Sequence, residues 1–324
     1  MELIRGIHNL RPRHRGCVLT VGNYDGLHRG HQAILAKLGE AGARLGLPTA
    51  MLTFEPMPRE FFDPEGAPPR LSSLREKAED AAAMGLERLV CARFDRRFAA
   101  LSPLEFVRDL MVGDLGAAYI LVGKDFRFGH KRQGDLALLR ELSGTYGYEL
   151  VPMPTVQEED ERVSSTRVRE ALAAGNPPLA ARLLGRPYRI SGRVRQGARL
   201  GRTLGIPTAN LRVTRKPAPR FGVYAAEAVL DDGRMVPAAV NLGVRPTVNG
   251  RDCLLEAHLL DFAGDLYGRR LDVRFRHFLR PEARFDGVEA LKTQMLADIE
   301  RARALLGTVD PSHRTEPEND VRSR

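Results

Sequence analysis

Between Val18 and Met153 short apolar runs alternate with segments of helical period, and few architectures accept that order. Val18-Leu19-Thr20-Val21 reads as a buried strand, followed by a turn-rich stretch from Gly22 to Gly30. Ile34, Leu35, Leu38, Ala41 and Leu45 then recur at the spacing of one helical face. Further strands are expected at 49–54, 89–91, 119–122 and 149–153. Helices are expected over 72–84, from Ser102-Pro103 onward, and over 135–146. Strands separated by helices of this length form a parallel sheet covered on both faces, the α/β class. Ligands of such sheets gather beyond the carboxyl ends of the strands.

Asn176-Pro177-Pro178 and Gly185-Arg186-Pro187 interrupt that rhythm and mark a boundary, which divides the chain into domains at 1–185 and 186–306. Beyond it, strands at 222–230, 235–241, 253–260 and 271–275 follow one another without intervening helices. An Asp232-Gly233 hairpin signal lies between the first two. Closely spaced strands of this kind predict a small antiparallel barrel. One helix closes it, with Asp286 as the expected cap and Glu289 three residues on. Val288, Leu291, Met295, Ile299 and Ala302 supply its core stripe. Residues 307–324 are polar without an apolar face and read as a disordered tail.

The formal charge of +9 favours an anionic partner, either a nucleic acid or a phosphate-bearing small molecule. The arginines are scattered, aromatic residues make up only 6% and Trp is absent, which argues against nucleic acid. No apolar stretch is long enough for a membrane span, and the N-terminus lacks the apolar core of a secretory signal. Cys17, Cys91 and Cys253 stand far apart, which argues against a disulfide framework or a zinc site. A cytoplasmic protein, monomeric or transiently self-associating, is expected.

Two constellations carry chemistry. The first is the turn from Gly22 to His31, with Asn23, Asp25, His28 and Gly30 inside it. It joins a strand to a helix N-terminus, where unpaired N–H groups and the macrodipole attract phosphate. His28 and His31 lie three residues apart and share a helical face, from which two imidazoles can stabilise a phosphoryl group in transit. Solvated loop histidines, or half of a metal site, are the plainer alternatives. Ser164, Ser165 and Thr166 precede a later helix as ordinary caps, yet Arg167 then stands at the positive helix end. A polyphosphate ligand reconciles that placement.

The second constellation opens the C-terminal domain. Gly192, Gly197, Gly201 and Gly205 can line a loop over phosphates, or can belong to a plain glycine-rich hairpin. Thr208 and Asn210, two residues apart on an extended chain, point to one side and offer oxygens suited to Mg²⁺. Leu255, Ala257 and Leu259 form one apolar face, so Glu256 and His258 point the other way. A carboxylate facing a cleft can serve as general base; facing water, it is merely solvated.

The GxxDGxHxGH turn at 22–31 and the Ser164-Ser165-Thr166-Arg167 segment resemble the nucleotidyltransferase superfamily. Thr53-Phe54-Glu55-Pro56, the Gly123–Gly129 segment and Val163–Arg169 narrow the likeness to bacterial bifunctional riboflavin kinase/FAD synthetases. Lys124 departs from the aromatic or acidic residue more frequent there. In the second domain Pro207-Thr208-Ala209-Asn210, Gly222-Val223-Tyr224, the Asn241–Thr247 segment, Glu256 with Asp261-Phe262, and Arg280-Pro281-Glu282 resemble the riboflavin kinase module. The resemblance implies a Rossmann-like nucleotidyltransferase domain followed by a small β-barrel kinase domain. It implies Mg²⁺-assisted phosphorylation of riboflavin by ATP to FMN, then adenylylation of FMN by ATP to FAD and pyrophosphate.

On that resemblance His28, His31 and Arg167 act on the transferring and departing phosphates, with Gly22, Asn23, Asp25, Gly30, Ser164, Ser165 and Thr166 around ATP. Asp125, Phe126, Arg127 and Phe128 would lie beside the flavin. In the kinase module, Gly192, Gly197, Gly201 and Gly205 would line the ATP loop, and Thr208 and Asn210 would hold Mg²⁺. Glu256 would be the base, and Tyr224, Asn241 and Arg280 would contact flavin. A single-activity adenylyltransferase, or a flavin-binding regulator with a degenerate second domain, is the competing reading; the full set of kinase segments argues against it.

Overall fold

The computed structural model describes residues 1–154, 157–158, 161–197, 200–247 and 250–307, which fall into two compact units divided between Arg167 and Val168. The first is built on six strands: β1 (Glu2–Arg5), β2 (Cys17–Val21), β3 (Thr49–Glu55), β4 (Arg88–Arg93), β5 (Ala117–Gly123) and β6 (Glu149–Met153). They lie in the order β1-β4-β3-β2-β5-β6 with every pairing parallel. All five residues of β2 are buried, as a strand covered on both faces requires. Its alternating side chains feed two cores. Leu19 packs with Leu52, Ile120 and Phe106 on one face, and Val18 with Met51, Leu121 and Leu38 on the other. The chain steps from β2 to β3 and β4, then returns to β5 on the opposite side of β2. The strand order therefore reverses between β2 and β5, where a ligand crevice opens in such sheets.

The helices of this unit are α1 (Arg29–Leu45), α2 (Pro58–Phe62), α3 (Leu74–Ala83), α4 (Arg96–Ala99), α5 (Pro103–Glu105) and α6 (Leu136–Tyr146). The chain continues from α5 as a π-helix over Phe106–Asp114. Ser73 and Glu76 form a reciprocal capping box at the start of α3, and Ser102 and Glu105 do the same for α5. Leu45, expected in the α1 stripe, is exposed because the helix ends there at left-handed Gly46. A short hairpin, β7 (Gln157–Glu158) and β8 (Glu161–Arg162), follows β6.

After α7 (Ser165–Ala173) and α8 (Pro177–Leu184), the second unit forms a closed antiparallel barrel. Its strands are β9 (Arg189–Arg195), β10 (Ala209–Val213), β11 (Gly222–Leu230), β12 (Met235–Thr247), β13 (Gly250–Leu259) and β14 (Arg270–Arg280). The order is β10-β13-β12-β11-β14-β9, and β9 pairs back to β10. Helix α9 (Leu200–Thr203) lies between β9 and β10. Asn176 caps α8, which packs on β14. The closing helix α10 (Val288–Leu306) packs across β11, β12 and β14.

The cap of α10 differs from expectation. Gly287, with φ of 106°, is the N-cap and no side chain caps the helix; Asp286 falls one residue too early to reach the free N–H groups. The α10 stripe also divides. Ile299 and Ala302 are buried and Val288 is exposed, and Val288, Leu291, Met295 and Ile299 line a cavity. From residue 308 onward, the expected tail lies outside the described residues.

Candidate active sites

The 22–31 turn emerges from the carboxyl end of β2 and enters α1 at the strand-order reversal. Its path is held by its surroundings rather than by glycine alone. Tyr24 and Leu27 both adopt positive φ, a conformation that costs a non-glycine residue about 1–2 kcal/mol. Leu27 is wholly buried, and the Tyr24 hydroxyl bonds Thr20 Oγ1 beneath the turn. The Asp25 carboxylate accepts from the N–H groups of Leu71 and Ser72 at 3.0–3.1 Å. It therefore clamps the turn from below.

His28 and His31 stack with ring centroids 3.7 Å apart and planes 18° from parallel. A Cβ on Gly30 would stand 3.1 Å from two atoms of the His28 ring, so the absent side chain lets the pair form. Burial, then the nearby His28 and Lys77, hold His31 well below its ordinary pKa of 6.5. The ring is neutral at pH 7, and its buried Nδ1 has no hydrogen-bond partner among the described residues. No cluster of three or more His, Cys, Asp or Glu residues suited to a metal ion occurs among the described residues.

The pair faces a cavity of about 320 Å³, which Gly22, Asn23, Asp25 and Gly30 also line. Ser164 and Ser165 form part of its wall. Ser164 Oγ accepts from the Arg167 N–H at 3.2 Å, the ordinary capping bond, while Ser165 Oγ donates to the Asp25 carbonyl at 2.9 Å. Thr166 is exposed outside this wall. Arg167, also outside it, pairs through Nε with Glu161 at 2.8 Å, so the helix-end cation already has an anion.

A second cavity of about 970 Å³ shares Gly22, Asn23, Asp125 and Phe126 with the first. Phe126 and Phe128 stack at 5.5 Å, and Phe54, Phe61, Phe62, Phe94 and Phe98 supply further apolar wall. Arg127 reaches Asp135 at 2.7 Å. Arg162 donates to Asp125 at 2.6 Å and holds that carboxyl below its ordinary range. Sequence reasoning found the 125–128 side of this cavity. It missed the phenylalanines of α2, α4 and the β4 end, which carry no motif beyond their clustering.

In the barrel, register builds the site. Asn210 on β10 stands opposite Glu256 on β13, which stands opposite Asn241 on β12; Asn241 pairs with Val223 on β11, and Val223 with Arg280 on β14. Leu255, Ala257 and Leu259 are buried, while Glu256 and His258 line a cavity of about 490 Å³ beneath α10. Thr208, Asn241, Arg280 and Gly201 line it too. Arg280 makes a bidentate pair with Asp298 of α10, at 3.0 Å from Nε and 2.7 Å from Nη2. Burial raises the pKa of Glu282, which also lines the cavity.

The remaining predicted residues are less uniform. Asn210 is nearly buried, its Nδ2 donates to the Thr208 carbonyl at 3.3 Å, and its buried Oδ1 has no partner among the described residues. A Cβ on Gly197 would lie 2.5 Å from that Oδ1, so the glycine makes room for it. Gly205 takes the positive φ of a turn. Gly192 instead lies within β9, where a Cβ would press on Leu211. Tyr224 is wholly buried, its ring meets Phe275 and Phe278 edge-on, and its hydroxyl donates to the Arg220 carbonyl. It is turned away from the face that Val223 presents to the cavity.

Residues 10–167 match the family model of FAD synthetase, and residues 184–306 that of riboflavin kinase. A bifunctional riboflavin kinase/FMN adenylyltransferase of Pseudomonas fluorescens is 52% identical over 306 residues, 94% of this chain and 98% of that one. The protein of the same description from Escherichia coli strain K12 is 47% identical over 313 residues, 96% of this chain and all of that one. A crystal structure described as a macrolide-efflux protein from Streptococcus pneumoniae is 28% identical, with a TM-score of 0.78 over 94% of this chain and 99% of that one. Among the described residues no helix is long and apolar enough to cross a membrane.

Proposed function

Because this chain belongs to the family of bifunctional riboflavin kinase/FMN adenylyltransferases, we propose that its barrel converts riboflavin and ATP to FMN and ADP, and its parallel-sheet unit converts FMN and ATP to FAD and pyrophosphate. The observation that supports the reading is that part of each motif set meets at one cavity within its own unit: His28, His31, Ser164 and Ser165 in the first, and Thr208, Asn241, Glu256 and Arg280 in the second.

In the adenylyltransferase unit, the work is positioning and charge neutralisation, since phosphoryl chemistry asks little else of a protein. His28 and His31 donate to the phosphate under attack, where negative charge grows. The Gly22–Gly30 backbone and Ser164, Ser165 and Thr166 hold ATP, and Arg167 leaves Glu161 for the departing pyrophosphate. The aromatic cavity, with Asp125, Phe126, Arg127 and Phe128, receives the isoalloxazine of FMN. Its shared wall with the His28–His31 cavity supports in-line delivery of the FMN phosphate.

In the kinase unit, Glu256 takes the proton of the ribityl hydroxyl, and Asn241 and Arg280 bind flavin. The orphaned, buried Oδ1 of Asn210 and the glycine that makes room for it fit a bound cation, with Thr208 as its companion ligand. Mg²⁺ held there would neutralise ATP phosphate charge. The chain's own residues orient the nucleotide and shield the hydroxyl from water under α10. Further expectations are a cytoplasmic enzyme, monomeric or transiently associating, with small-molecule partners and no bound nucleic acid or membrane.

The test is purified protein with riboflavin, ATP and Mg²⁺, the flavins separated over time: FMN should rise first and FAD after it. Glu256→Gln should abolish FMN formation and spare conversion of supplied FMN, whereas His31→Ala should do the reverse. Loss of both activities in either variant would reject independent sites. Conversion of FMN alone by the parent chain would favour the single-activity reading.

A further inference from the structure

Lys77 is a buried cation that the chemistry above does not use. It lies one turn into α3, near the helix end that disfavours positive charge, and only 3% of its surface is accessible. A buried ammonium persists only where fixed acceptors and opposite charge replace water. Its Nζ donates to the Asn23 carbonyl at 2.6 Å and to Thr53 Oγ1 at 3.0 Å, while Thr53 Oγ1 donates to the same carbonyl at 3.2 Å. Burial lowers its pKa, and Asp25 and Glu55 oppose that shift.

The neighbouring segment grips the same turn at two more points. Leu71 and Ser72 donate to the Asp25 carboxylate, and the Gly26 N–H donates to Ser72 Oγ at 3.2 Å. Residues 71–77 thus hold Asn23, Asp25 and Gly26 of the phosphate-site turn. The Asn23–Tyr24 peptide is planar and trans, so with its carbonyl drawn to Lys77 its N–H points the opposite way. Tyr24 keeps its positive φ of 47°, a conformation that persists only when the surroundings fix it.

From this geometry we infer that Lys77 is a positioning residue of the adenylyl-transfer site: by holding the Asn23 carbonyl it fixes the Asn23–Tyr24 peptide against which the triphosphate and the departing pyrophosphate bind. The inference rests on the adenylyltransferase reading of this unit and adds a residue from outside its motifs. Lys77→Met keeps the chain length and removes both charge and donor. Calorimetry with inorganic pyrophosphate, KM for ATP and kcat for FAD formation are the readouts, with riboflavin phosphorylation by the same chain as control.

Pyrophosphate affinity should fall and KM for ATP rise by about tenfold or more, with kinase activity within about twofold of the parent. A folded Lys77→Met protein with parental pyrophosphate affinity and KM overturns the inference. Should that variant not fold, Thr53→Val is read the same way, with a rise of about threefold expected in KM for ATP and an unchanged value overturning the inference. Failure of the parent chain to adenylylate FMN would sink the reading of the unit. Pyrophosphate binding decides the role of Lys77 separately.

Discussion

Replacing Asp298 by Ala should loosen the closing helix and weaken the kinase without touching the adenylyltransferase. Asp298 lies on α10, its side chain 7% exposed, and accepts Nε and Nη2 of Arg280 at the end of β14. Gln294, one turn earlier, donates to the same carboxylate at 3.0 Å. Breaking a buried pair by removing one partner costs about 3–5 kcal/mol, because a charge is left without its counterion. Arg280 retains 20% of its side-chain surface and a bond from Nη1 to the Pro281 carbonyl, which moves the cost to just under that range, about 2–3 kcal/mol. For a unit of this size that is a fall of about 6–15 °C in its thermal midpoint.

The assay is a double-mutant cycle of Asp298→Ala and Arg280→Ala, followed by thermal unfolding without ligand. A coupling of about 1.5 kcal/mol or more is expected. KM for riboflavin should rise in Asp298→Ala, since Arg280 loses the partner that aims it along the cavity wall. A coupling under about 0.5 kcal/mol would mean that the pair behaves like a solvated surface bridge. The account of α10 as a helix pinned over the site would then fail.

Gly197→Ala would set a Cβ 2.5 Å from Asn210 Oδ1, and the displaced amide should lower kinase kcat/KM by about tenfold or more while FAD formation holds; equal loss of both would refute it. His31 has a folded pKa depressed below 6.5, so its contribution to stability is complete above about pH 6.5 and is lost as pH falls through the folded value. Thermal midpoints at pH 7.5 and 5.5 should therefore differ less in His31→Gln than in the parent, and an identical difference would show that His31 is not desolvated. A fragment beginning at Arg186 should phosphorylate riboflavin but melt below one beginning at Val168, which retains the buried Ala180, Leu183 and Leu184 of α8. An unfolded Arg186 fragment would move the working boundary upstream.

What the sequence revealed follows from which interactions are local. Alternation along β13 separates Leu255, Ala257 and Leu259 from Glu256 and His258, because a strand's side-chain period is two. That Glu256 faces Asn210 and Asn241 depends on strand register, which no single segment encodes. Tyr224, assigned to flavin by likeness, takes the inward phase of β11 while Val223 takes the outward one. Strands β1 and β9 escaped notice because charges and a glycine dilute their apolar alternation, as in Arg189-Ile190-Ser191-Gly192-Arg193-Val194-Arg195. Lys77 was invisible for the opposite reason: in a helix that also carries Arg75, Glu76, Glu79 and Asp80, a lysine reads as solvated unless its acceptors, more than twenty positions away along the chain, are in view.

The two sites share a physical device that no motif states. His31 Nδ1 and Asn210 Oδ1 are both buried and without a hydrogen-bond partner among the described residues; Gly197 leaves Asn210 Oδ1 its place, and Gly30 leaves room for the His28 ring that stacks on His31. An unsatisfied buried polar atom costs about 1–3 kcal/mol, and a fold rarely keeps one unless something else returns that energy. A phosphate oxygen opposite the imidazole, or a cation opposite the amide oxygen, would return it on binding. Such an arrangement would set the reactive geometry before a ligand arrives, so that binding need not spend energy assembling it. Gly30 and Gly197 matter in this view as the space that lets His28 and Asn210 sit correctly, more than as flexible hinges. That also explains why glycine spacing alone was an ambiguous signal: Gly192, in the same run, lies within β9, where a Cβ would press on Leu211.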